Sequence, residues 1–172
     1  MALNGATEKS CWVLVSVKPQ PNTILYLDAV EEALCFGWID GIHKKANATQ
    51  MAQRLTPRKK KGNWTELNKE RVRRLEKLGL MTENGRKCLP DMTEQSFTIH
   101  PLILQALKKD PEIYTNFLAF PALYQRVRID TIQSELTAYN RLELFKKRLE
   151  KFIENTKQNK MYGKWNDDGR LL

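Results

Sequence analysis

The sequence is short of the residues that catalytic and metal sites most often need. It has two histidines, His43 and His100, and three cysteines, Cys11, Cys35 and Cys88. An odd cysteine count with no C-x-x-C pair suggests no disulfide framework, and two histidines add little toward a zinc site. The three thiols are expected to be unpaired. Cys35, within Ala33-Leu34-Cys35-Phe36, reads as a small buried hydrophobe. There is no G-x-S-x-G elbow, no Walker loop and no G-x-G-x-x-G. Ser10, Ser16, Ser96 and Ser134 stand in no context that marks a nucleophile. Asp167 and Asp168 are adjacent, so regular structure would point them apart, and no acid pair has a reason to be catalytic. No apolar run approaches the roughly 18 residues of a membrane span. Cys11 to Val17 is too short for one, and it follows Glu8 and Lys9 rather than the basic start of a signal peptide. These absences predict a cytoplasmic protein with no cofactor, no metal site, no catalytic residue assigned and no membrane insertion.

Positive charge is abundant and confined. Between His43 and Lys77 lie twelve basic residues and only Glu66, Glu70 and Glu76 as acids, which accounts for the whole net charge of +9. The rest of the chain is balanced. A field of that kind favours anionic partners.

Hydrophobic spacing changes along the chain. Cys11-Trp12-Val13-Leu14-Val15-Ser16-Val17 is rich in β-branched residues and reads as a strand covered on both faces, ended by Pro19 and Pro21. Leu27, Val30, Ala33 and Leu34 recur at helical spacing, and Gly37 is placed to end that helix. Trp38 to Ile42 reads as a second strand with a bend at Gly41. Gln50 to Thr56 reads as its return, with Met51, Gln53 and Leu55 on one face and Arg54 on the other. Asn63 looks like the N-cap of the next helix, with Glu66 completing a capping box and Gly79 ending it. Thr82 starts a short helix. From His100 to about Gln158 the spacing is helical, with Pro101, Pro111 and Pro121 suited to first turns and Asp110 to an N-cap. Tyr162 and Trp165 should order the tail only by docking on the body. The fold class is therefore α+β: a small N-terminal sheet in strand-helix-hairpin order, packed with helices, followed by an all-helical C-terminal half. One domain is expected over 1–172, with an α+β core to 92, a helical part over 93–158 and a tail over 159–172.

The strongest local signal is Arg54-Leu55-Thr56-Pro57-Arg58-Lys59-Lys60-Lys61-Gly62-Asn63-Trp64, a basic loop feeding a helix N-terminus. Backbone N–H groups, the helix dipole and the cations all favour an anion there. The expected binding residues are Trp38, Asp40, Arg54, Arg58, Lys59, Lys61, Asn63 and Trp64. Asp40 is expected to hold one arginine, and Trp38 and Trp64 are either stacking platforms or core. His43 reads as a solvated loop residue.

Glu32-Ala33-Leu34-Cys35-Phe36-Gly37-Trp38-Ile39-Asp40-Gly41, Gln53 to Arg58 and Asn63 to Val72 resemble the bacteriocin-protection, YdeI/OmpD-associated family. So do Leu80-Met81-Thr82, Leu107 to Pro111 and Phe120-Pro121. Members carry Phe where Leu55 stands, Pro where Lys60 stands and Ser where Gly62 stands. The resemblance implies a bacterial protein linked to bacteriocin or antimicrobial-peptide stress, with a protein partner possible and no enzymatic residue to carry over. Non-enzymatic binding of a small anion or an acidic partner is the leading reading. Nucleic-acid binding through residues 43–77 is the second, and an enzyme acting near Asp40 the third.

Overall fold

The computed structural model describes residues 1–59 and 62–171. The chain forms two compact units. One holds Met1–Trp64 and Lys69–Asp91, the other Thr65–Asn68 and Met92–Leu172. The architecture is α+β, with a small antiparallel sheet followed by helices.

In the first unit, β1 (Cys11–Ser16), β2 (Trp38–Lys45) and β3 (Gln50–Pro57) form a sheet of order β1-β3-β2, antiparallel throughout. The register pairs Cys11 with Leu55, Val13 with Gln53 and Val15 with Met51. Those residues make the inner face, and the apolar stripe of α1 (Tyr26–Cys35) closes it through Ala29, Val30, Ala33 and Leu34. Covering both faces of β1 was the expectation. Instead, Trp12 is 48% and Leu14 54% exposed on the outer face, so β1 alternates like a half-buried antiparallel strand.

The β2–β3 hairpin turns without an Asn-Gly pair. The Asn47 side-chain oxygen accepts the N–H groups of Thr49 and Gln50, each at 2.9 Å, which substitutes an Asx turn. The bend expected at Gly41 is a register shift between Asp40, opposite Leu55, and His43, opposite Gln53. His43 thus sits on a strand rather than in a loop, because pairing resumes after the shift.

Gly37 follows α1 with φ +74°, and a Cβ there would stand 2.7 Å from the Asn84 carbonyl oxygen. Only glycine meets both conditions without strain. The short α3 (Glu83–Arg86) is capped by Thr82, which also donates its hydroxyl to the Cys35 carbonyl at 2.6 Å. Cys11, Cys35 and Cys88 are free thiols. Burial, with Glu32 and Glu31 adding to it, pushes the Cys35 thiol up from 9.0 to about 11. The fold therefore favours the neutral thiol. Stability from this group is complete below pH 9 and is lost as pH rises toward 11. Denaturation midpoints measured from pH 8 to 11 should fall, and Cys35→Ala should flatten that fall.

Helix α2 spans Glu66–Lys77 and starts later than expected. Asn68 N–H bonds the Thr65 hydroxyl at 3.2 Å, so Thr65 and not Asn63 is the cap. Both residue types cap well, and the choice is made by tertiary structure: Asp130 accepts the Glu66 N–H at 3.1 Å.

The second unit packs α4 (Pro101–Lys108), α5 (Pro111–Ala119), α6 (Ala122–Thr137) and α7 (Leu142–Lys157) around Leu107, Phe117, Tyr124, Ile129, Phe145 and Phe152. His100 and Asp110 cap α4 and α5, with Pro101 and Pro111 in the first turns. Pro121 is itself the N-cap position of α6 rather than a first-turn residue, since its ψ of 137° is extended. The tail is ordered by the docking that its aromatics suggested: the Trp165 ring meets Tyr124 edge-on at 5.6 Å, and Arg128 lies over Tyr162. Among the described residues no helix is long and apolar enough to cross a membrane.

Candidate functional site

Strand β3 ends at Pro57, and the chain turns so that the Arg58 N–H reaches the Gly37 carbonyl at 2.9 Å. The turn carries the guanidinium inward. It lies 3.8 Å from the centre of the Trp64 ring and gives Nη1 to the Asn63 carbonyl at 3.0 Å. Arg58 is only 6% exposed. Among the described residues its Nε and Nη2 are buried without a hydrogen-bond partner, and so is the Trp64 indole Nε1. Among the described residues no carboxylate comes within ion-pair distance of Arg58. Burial lowers its pKa, and the charges of Asp40 and then Cys88 oppose that shift.

The expected binding residues do not gather in one place. Arg58, Asn63 and Trp64 come together. Trp38 is 3% exposed, donates Nε1 to the Gly5 carbonyl and belongs to the inner core with Ala33 and Leu55. Its role is core, not stacking platform. Arg54 is opposite Trp12, on the outer face, whereas Asp40 is opposite Leu55 on the inner one. Asp40 was expected to hold Arg54 or Arg58; strand parity separates it from Arg54, and its charge acts on Arg58 without an ion-pair contact among the described residues. Asp40 instead accepts the Tyr26 hydroxyl at 2.6 Å. Lys59 is exposed, and Lys61 lies outside the described residues. The helix N-terminus does not contribute a free anion site either, since the first N–H of α2 is taken by Asp130.

The basic segment is also divided. Arg73 pairs with Glu70 at 2.7 Å and Arg74 with Glu31 at 2.9 Å. Lys44 lies over the Trp12 ring.

A cavity of about 380 Å³ opens on the inner side of the sheet, lined among others by Ser16, Tyr26, Asp40, His43 and Gln53. Sequence reasoning named only Asp40 as a site residue there. Gln53 was the available signal: a polar side chain between Met51 and Leu55 on an inward face is out of pattern.

Residues 1–88 match the family described as Domain of unknown function (DUF8412), just over half of the chain. The chain belongs to this family. Residues 96–159 match the family described as Bacteriocin-protection, YdeI or OmpD-Associated, the family that the sequence resembled. No curated protein and no solved structure matches the chain. The DUF8412 match holds both the Arg58 cluster and the cavity. It also holds the runs Glu32 to Gly41, Gln53 to Arg58 and Asn63 to Val72 on which the resemblance was first read. The second match holds α4 to α7, with Leu107 to Pro111 and Phe120-Pro121.

Proposed function

We propose that the protein is a non-enzymatic binding protein of the bacteriocin-protection type, and that its first unit takes up a small oxyanion at Arg58. The observation that carries this reading is the set of buried donors without acceptors at Arg58 and Trp64. A buried cation without a counter-charge is expensive, and each buried donor left unpaired adds about 1–3 kcal/mol. An oxyanion relieves both penalties at once. Asn63 occupies Nη1, so the Nε/Nη2 edge of the guanidinium remains, and that edge suits two oxygens of a phosphate or carboxylate. Trp64 supplies a third donor. Because Arg58 is covered, the site suits only small species.

A nucleic-acid backbone fits less well. It needs several exposed cations in a row, whereas Arg58 is buried and Arg73 and Arg74 are paired.

Arg58→Met tests the reading through stability. In anion-free buffer the variant should be as stable as the parent or more stable by about 1 kcal/mol, because an apolar side chain replaces a buried cation that has no ion-pair contact among the described residues. Phosphate at 100 times its Kd should stabilise the parent by about 2.7 kcal/mol and leave Arg58→Met unmoved, at constant ionic strength. A parent that melts identically with and without phosphate would refute the proposal.

A further inference from the structure

The cavity on the inner face of the sheet has a chemistry opposite to that of the Arg58 cluster. Val15 and Met51, paired across β1 and β3, supply apolar surface with Val17. Tyr26 comes from the first turn of α1, and Asp40, Gly41 and His43 come from the irregular stretch of β2. The register shift there is what brings the Asp40 and His43 sides of β2 to one opening.

The polar groups are acceptors in excess. Asp40 uses Oδ2 for the Tyr26 hydroxyl, which leaves Oδ1 without a hydrogen bond among the described residues. Gln53, 1% exposed, points Nε2 at the carbonyls of Gly41, Ile42 and Arg54. Three carbonyls around one amide nitrogen fix its orientation and leave Oε1 as an acceptor without a partner among the described residues. Ser16 shares the outer face of β1 with Trp12 and Leu14, so its hydroxyl is not one of the acceptors of the cavity. No lysine or arginine lines the cavity, and Asp40 is its one carboxylate. An anion is therefore repelled. A neutral apolar molecule would leave the carboxylate dehydrated.

We infer that this cavity binds a small organic cation: a primary ammonium group on a short apolar body. An ammonium carries three donors and no acceptor, which suits a cavity whose polar groups are Asp40 Oδ1 and Gln53 Oε1. The charge pairs with Asp40, and the carbon chain lies along Val15, Val17 and Met51. The volume is within the usual range for small-molecule sites. This site does not depend on the anion reading of Arg58.

Calorimetric titration with n-pentylamine, against n-pentanol and valerate as matched controls, tests the inference. Pentylamine should bind at least about tenfold more tightly than pentanol, the effect expected of a charge-assisted hydrogen bond in a partly buried site. Valerate should not bind. Asp40→Asn, which keeps an acceptor for Tyr26, should weaken pentylamine by about tenfold or more. Arg58→Met should not weaken it, because the variant removes a positive charge that interacts with Asp40. Pentanol binding as tightly as pentylamine would overturn the inference, whether or not the Asp40 variant folds. So would unaltered pentylamine affinity in Asp40→Asn, or no binding of pentylamine to the parent.

Discussion

Replacing both Arg141 and Arg148 by alanine should destabilise the second unit by about 3–5 kcal/mol. Glu135 is 3% exposed near the end of α6, and its two oxygens meet Arg141 at 2.7 Å and Arg148 at 2.8 Å. Arg148 also donates to the Thr131 carbonyl, which fixes it along the same helix. Either single substitution leaves one partner and should have a smaller effect. The double substitution leaves a carboxylate buried and uncompensated, where the desolvation penalty is no longer offset. Adding Glu135→Leu should return most of the loss, since an apolar side chain of similar size has no charge to strand. Urea titrations of the single, double and triple variants give this directly, provided the slope with denaturant stays constant. A double variant within about 0.5 kcal/mol of the parent would mean that water already solvates Glu135.

Gly85→Ala should destabilise the first unit by about 2–4 kcal/mol, although it adds one methyl group. Gly85 has an ordinary helical backbone, so the effect is one of space. A Cβ there would overlap the Cys35 carbonyl oxygen, with the Cys35 carbonyl carbon and Met81 Cε each at 2.9 Å. The atom in the way is backbone, which cannot swing aside as a flexible side chain would. The same carbonyl accepts both the Thr82 N–H at 3.1 Å and the Thr82 hydroxyl at 2.6 Å. Pushing α3 away from the end of α1 therefore also weakens two hydrogen bonds. Guanidinium titration of the variant checks the size of the loss. A change below about 1 kcal/mol would show that α3 moves freely.

The fold was largely readable because its signals are local. The β-branched run at Cys11 to Val17, the glycine after α1, the proline-first helices and the Asp110 cap each follow from a few neighbouring residues. The docking of Trp165 was readable as a condition, since aromatics in a polar tail need a surface. What could not be read depended on register and on distant residues. Asn63 and Thr65 both cap helices, and Asp130, far along the chain, decides between them. Which of Arg54 and Arg58 lies on the side of Asp40 was not readable, because the faces of β2 and β3 are set by hairpin register. Sequence alone assigned faces within β3 but not across to β2. Arg58 stood out in the sequence for its charge beside a proline. Its burial against Trp64 was not visible, because a run of cations reads as solvated until the turn that folds one of them inward is known.

The proposed anion site is formed by the Nε/Nη2 edge of Arg58 and the Trp64 indole. Phosphate titration of the ¹⁵N-labelled protein, followed at the tryptophan indole N–H signals, reads them most directly. Trp38 is an internal control, because its indole N–H is already held by the Gly5 carbonyl at 3.1 Å. The account predicts a saturable shift of the Trp64 indole and the Arg58 Nε–H signals, no movement of the Trp38 indole, and loss of the Trp64 response in Arg58→Met. A Trp64 signal that stays fixed through the titration, or moves no more than that of Trp38, would contradict it.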